Sequence, residues 1–96
     1  MKPSKALQTN REAIRQVVAA HHASNPRVFG SVVHGDDTEG SDLDILIDPT
    51  PETTLFDIGA IRHELLQLLG MPVDVLTPGA LPKKFRATVL AEARPV

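Results

Sequence analysis

Between Gly40 and Pro49 the chain reads Ser-Asp-Leu-Asp-Ile-Leu-Ile-Asp, and no other stretch restricts the fold as much. In an extended chain Leu43, Ile45 and Ile47 fall on one side, and Asp44, Leu46 and Asp48 on the other. The alternation predicts a strand from Leu43 to Asp48, ended by Pro49 and Pro51. One of its faces must be buried, while the other must accommodate carboxylates. A chain of 96 residues, 42% of them apolar, has material for one core layer between helices and a small sheet.

The flanking segments supply those partners. Thr9-Asn10-Arg11-Glu12 reads as a capping box, with Thr9 at the N-cap and Glu12 reaching back. Ile14, Val17, Val18 and His21 follow at helical spacing, so a first helix is expected over about residues 10–22, stopped by Ser24-Asn25-Pro26. Arg27-Val28-Phe29 reads as a buried strand ending at Gly30-Ser31, and Gly35 to Gly40 as a solvated polar loop. Thr54 is placed to cap a second helix with a core stripe of Ile58, Ile61, Leu65 and Leu68, closed by Gly70. Pro72-Val73-Asp74-Val75-Leu76 predicts a third strand. Leu81, Phe85 and Val89 mark a last helix, with Pro82 in its first turn.

The order is helix, strand, turn of helix, strand, helix, strand, helix. The first two strands are joined by a connection with room for only one helical turn, so a mixed sheet is expected rather than a parallel one. The expectation is an α+β fold, a small mixed β-sheet covered by helices, with residues 1–96 as one domain.

Composition removes several function classes. With three Phe and no Trp or Tyr, the chain offers bases little to stack on, against a dedicated single-strand binder. A net charge of -2 carries no basic footprint for duplex nucleic acid. Absence of cysteine excludes disulfides, thiolate metal sites and cysteine nucleophiles. No apolar run approaches the roughly 18 residues of a membrane helix, and Met1-Lys2-Pro3-Ser4-Lys5 leads into no signal-peptide core. Cytoplasmic location is the expectation.

Three features point to chemistry. Gly30-Ser31 ends a strand where glycine admits a phosphate close to the backbone and the following N–H groups favour an anion. Ser41-Asp42-Leu43-Asp44 enters the next strand, holding two carboxylates roughly 6–7 Å apart on one face while Leu43 anchors the register. Asp74 lies between inward-facing Val73 and Val75, so it projects to the face that Asp42 and Asp44 can share. Carboxylates held so close repel one another unless a hard divalent cation sits between them, and magnesium takes such a pair together with substrate phosphates. Three strand carboxylates beside a phosphate-binding turn suit a two-metal arrangement.

Other acidic and histidine clusters carry less. Asp36, Asp37 and Glu39 lack the alternation and distal Glu of a calcium loop, and His63-Glu64 has no second His at zinc-helix spacing. His34 is the one histidine near the Gly30 turn and a candidate phosphate contact.

The stretch Phe29-Gly30-Ser31, ten further residues, then Asp42-Leu43-Asp44 resembles the Gly-Ser…Asp-x-Asp signature of polymerase-beta-like nucleotidyltransferases, most closely the minimal nucleotidyltransferase branch. The resemblance spans nearly the whole chain and implies the palm fold of that superfamily. It implies that Gly30 and Ser31, with neighbouring Ser41, face the nucleotide phosphates. It also implies that Asp42, Asp44 and Asp74 hold magnesium, two ions in all, with ATP as substrate. Many members of the branch are antitoxins paired with a HEPN-domain ribonuclease toxin, and some add AMP to a tyrosine of that toxin. A hetero-oligomer is therefore expected. The usual turn Gly-Ser-Arg-x-Arg-Gly reads here Gly30-Ser31-Val32-Val33-His34-Gly35, replacing two basic residues; Lys83, Lys84 and Arg86 are candidates to compensate. Two other readings stay open: a module that neutralises a partner by occlusion, and a nucleotide sensor that binds without transfer.

Overall fold

The alternating run becomes β2 (Leu43–Pro49), which lies inside a four-stranded sheet rather than at its edge. The computed structural model describes residues 1–96. It contains α1 (Pro3–Ala20), β1 (Ala23–Phe29), α2 (Ser31–His34), β2, α3 (Leu55–Leu69), β3 (Val73–Leu76), α4 (Lys83–Glu92) and β4 (Arg94–Pro95). A 3-10 turn at Pro78–Ala80 links β3 to α4.

Sheet order is β3-β2-β1-β4. β2 runs antiparallel to β1 and parallel to β3, so the sheet is mixed, as the short β1–β2 connection requires. Leu43, Ile45, Leu46 and Ile47 are fully buried, which explains why a strand with so few polar positions is stable only in the interior. α1 and α3 cover the face bearing Leu43, Ile45 and Ile47. Ile14 and Val18 of α1 and Ile61 and Leu65 of α3 pack there with Val28, Val73 and Val75.

Several local expectations are corrected. α1 begins at Pro3, where a missing N–H is harmless, and its first turn is held by the Asp37 carboxylate, which accepts from Ser4 N–H at 3.0 Å. The capping box at Thr9 does not form: Thr9 Oγ1 donates to Lys5 O at 2.9 Å, and Glu12 pairs with Arg15 at 2.8 Å. A trace of the predicted start survives as a kink at Asn10 (φ -120°, ψ 20°), whose Nδ2 donates to Ala6 O at 2.9 Å. Ser24-Asn25-Pro26 does not lie outside the sheet. It belongs to β1, at an irregularity between Ser24 and Arg27 where proline's missing donor is tolerated.

Thr54 caps α3 as expected, in a reciprocal box with Asp57, and Gly70 adopts the left-handed conformation (φ 68°) that ends it. Leu68, however, is 41% exposed, and Leu69 packs against the core in its place. α4 buries no residue, and Phe85 stands exposed rather than in a core stripe. β4 has no counterpart in the sequence pattern: two residues ending in proline carry no periodic signal, yet they pair with Arg27 and Val28 at the β1 edge.

Candidate active site

The face of the sheet turned away from α1 and α3 carries the acidic residues. In the parallel β2–β3 pair Leu43 is opposite Val73, Asp44 opposite Asp74, and Ile45 opposite Val75. Val73 and Val75 are buried on the helix-covered side, so strand alternation turns Asp74 outward beside Asp44. Neighbouring strands lie about 4.8 Å apart, which brings these two side chains into direct proximity. Asp42 precedes Leu43 and falls on the same side as Asp44. Leu43 fixes this register twice, by complete burial and by its N–H donating to Pro72 O at 3.1 Å. The three predicted carboxylates are thus brought together.

Their electrostatics record the crowding. The Asp44 carboxyl is pushed up from 3.8 to about 6, first by burial, then by the charges of Asp74 and Asp42 and by hydrogen bonding with Asp74. A half-buried carboxylate with two acidic neighbours and no cationic side chain as ion-pair partner is a group that a hard cation would relieve. No three His, Asp or Glu side chains are grouped closely enough to hold a metal ion by themselves. Magnesium keeps several waters and draws further ligands from phosphate oxygens, so an open carboxylate donor set fits that ion.

The Gly30-Ser31 turn abuts this cluster. Phe29 is the register partner of Asp44, and Gly30 follows at the strand end with φ 77°. A Cβ at position 30 would run into Asp44 Oδ2, so glycine is required both by the backbone angle and by the approaching carboxylate. The chain then turns into α2, where Gly30 O accepts from Val33 N–H (3.1 Å) and His34 N–H (3.3 Å). The Ser31 and Val32 N–H groups precede these and have no acceptor within the protein. Two free amide donors beside these carboxylates are groups that could receive a polyanion and a divalent cation together.

The remaining sequence candidates are engaged elsewhere. Ser41 Oγ accepts from Thr38 N–H at 2.8 Å and closes the turn that leads into Asp42. His34 contacts Glu92 at 2.7 Å, joining α2 to the end of α4. Lys84 lies over the Phe85 ring, 5.6 Å from its centroid. Arg86 donates to Leu81 O at 2.8 Å and Gly79 O at 3.3 Å, fastening the turn before α4. Asp37, read from sequence as part of a solvated loop, is 9% exposed and caps α1. Its distance of 33 residues from Ser4 left no local signal for that role.

Comparison with known proteins agrees with this fold. The family model described as "Nucleotidyltransferase domain" matches residues 12–96. The chain is 31% identical over 77 residues to MJ0435 of Methanocaldococcus jannaschii, provisionally named a protein adenylyltransferase, covering 80% of this chain and 83% of that one. It is 38% identical over 65 residues to the protein adenylyltransferase MntA of Thermococcus cleftensis, covering 68% and 66%. A solved structure provisionally named a minimal nucleotidyltransferase superposes with a TM-score of 0.86 at 39% identity, over 97% of this chain and 95% of that one. A chain from a toxin–antitoxin crystal structure with AMP-PNP shares the fold, with a TM-score of 0.75 at 17% identity over 90% and 71%.

Proposed function

The chain belongs to the nucleotidyltransferase-domain family, and from that premise we propose that it is a magnesium-dependent protein adenylyltransferase, moving AMP from ATP to a hydroxyl of a partner protein. The observation that carries the reading is the pairing of Asp44 with Asp74 on adjacent parallel strands, with Asp42 on the same face beside Gly30-Ser31. Residues 1–96 form the nucleotidyltransferase domain in this reading.

Asp42 and Asp44, with Asp74 beside Asp44, are the residues that would hold magnesium, together with phosphate oxygens and water. Bound magnesium neutralises phosphate charge and lowers the pKa of the attacking hydroxyl. The Ser31 and Val32 amides receive the phosphate oxygens, and Gly30 leaves room for them by lacking a Cβ. Ser41 sets the turn from which Asp42 projects. Asp74 assists the acceptor hydroxyl, whose oxygen bonds to the α-phosphorus as pyrophosphate leaves. Positioning and charge neutralisation supply most of the acceleration in such reactions. Because Val32 and His34 place no free cation in the turn, grip on the triphosphate rests on amides and metal.

The named function of the relatives supports a protein acceptor, and the toxin–antitoxin neighbour supports a toxin as that acceptor. The acceptor we propose is a HEPN-domain ribonuclease, modified in the cytoplasm by this chain acting as its antitoxin. No helix is long and apolar enough to cross a membrane.

The experiment is transfer of label from α-phosphate-labelled ATP. With magnesium and the product of a neighbouring gene, label should reach the partner and fall by at least about a hundredfold in Asp42→Asn and Asp44→Asn. Full neutralisation of the partner by both variants, with no label transferred by the parent protein, would establish occlusion instead.

A further inference from the structure

A cavity of about 370 Å³ lies on the other side of the sheet from the carboxylates, and the reaction makes no use of it. Its floor includes Val28, whose register partner is Ile45 of the core, whereas the next pair, Phe29 with Asp44, faces the active site. From α1 come Ser4, Leu7, Gln8 and Arg11, spaced i, i+3, i+4, i+7 along one helical face. Val32 and Val33 of α2 and Arg94 and Pro95 of β4 complete the lining.

Two of the residues in this wall, Arg11 and Arg94, are cationic. Arg15 and Arg27 are paired with Glu12 and Asp48. Arg11 and Arg94 have no carboxylate partner, and Arg11 makes only a long contact of 3.4 Å to Pro95 O. Two guanidinium groups, one from α1 and one from β4, therefore stand without a carboxylate partner at one hollow, in a protein whose net charge is -2. Beneath them Leu7 and Val28 are buried, and Val32 and Val33 are half-buried against the core. At about 370 Å³ the hollow falls in the size range of small-molecule sites, and its lining is mixed, apolar at Leu7, Val28, Val32 and Val33 and polar at Ser4, Gln8, Arg11 and Arg94. Guanidinium groups recognise carboxylate and phosphate through paired hydrogen bonds.

We propose that this cavity between α1, α2 and β4 is a second ligand site, which takes a small organic anion through Arg11 and Arg94 and seats its apolar body on Leu7, Val28, Val32 and Val33. The inference does not depend on the identity of the acceptor protein. α2 is a single turn that starts at Gly30-Ser31, so an occupant touching Val32 and Val33 adjoins the segment bearing the free amides of the active site. Occupancy is thereby coupled to the phosphate-facing turn.

The test is a nuclear magnetic resonance titration of the full chain with phenyl phosphate, octanoate and the neutral octan-1-ol. Phenyl phosphate or octanoate should produce saturable shifts of the Val28, Val32 and Val33 methyls and of the Ser31 amide. Arg11→Gln combined with Arg94→Gln should weaken that binding at least tenfold, while Asp42→Asn leaves it unchanged. Both arginines are exposed, and each single variant should give an intermediate loss if the pair together impairs folding. Absence of methyl shifts with either anion up to millimolar concentration would overturn the proposal. So would equal binding of octan-1-ol, or unaltered affinity in the folded arginine variants. Methyl shifts that leave the Ser31 amide unmoved would overturn the coupling.

Discussion

Asp44 shows what the site demands of single residues. Its carboxyl is raised to about 6 by burial and by two acidic neighbours, so the metal-free protein carries an unfavourable charge at neutral pH. The sign follows directly. A carboxyl raised on folding destabilises the fold above its folded pKa, and the penalty disappears as pH falls toward its unfolded value. Asp44→Asn should therefore stabilise the metal-free protein at pH 7–8 by on the order of 1 kcal/mol after allowance for solvent screening. Measured by thermal melting in a chelator, the gain should vanish near pH 4. Gly30→Ala tests the other side of the contact. It should lower stability by about 1–2 kcal/mol through its positive φ, and reduce transfer to background by displacing the Asp44 carboxylate. These residues were legible in the sequence because strand alternation dictates which way Asp42, Asp44 and Asp74 point. Nothing in the sequence revealed that His34 would be taken up by Glu92, 58 positions away.

Elements were legible where their signals are local. The Thr54 cap, Gly70 after α3, and the period-two run of β2 each specify structure within a few residues, and each forms as read. The start of α1 depends instead on Asp37, which reaches it from a loop after α2. Two local patterns also misled: Thr9–Glu12 has the composition of a cap but lies inside the helix, and Pro26 terminates nothing because a bulge accommodates it. Hydrogen bonding to Ser4 holds the Asp37 carboxyl below its ordinary 3.8. A lowered carboxyl contributes stability above its unfolded pKa and loses it as pH falls through the folded one. Asp37→Ala should thus cost about 1 kcal/mol at pH 7, as loss of an N-terminal cap does. In urea denaturation at a series of pH values, the difference between variant and parent should shrink steadily below pH 4.

Stability of the whole molecule rests on one layer between α1, α3 and the sheet, while α4 crosses outside it without a buried side chain. Leu65→Ala should lower stability by about 2–5 kcal/mol, whereas Phe85→Ala should change it by less than about 0.5 kcal/mol; chemical denaturation measures both. The mixed sheet followed from the length of the β1–β2 connection, but the fourth strand did not, since a two-residue edge pairing has no pattern of its own. What the sheet achieves is to carry charge on one face and a core on the other, with β2 serving both. Manganese probes that division directly. Added as a paramagnetic substitute for magnesium, together with a non-hydrolysable ATP analogue, Mn²⁺ should broaden amide resonances around residues 30–31, 42–44 and 74. The broadening should be lost in Asp44→Asn. Broadening centred elsewhere, or unchanged in that variant, would contradict the account.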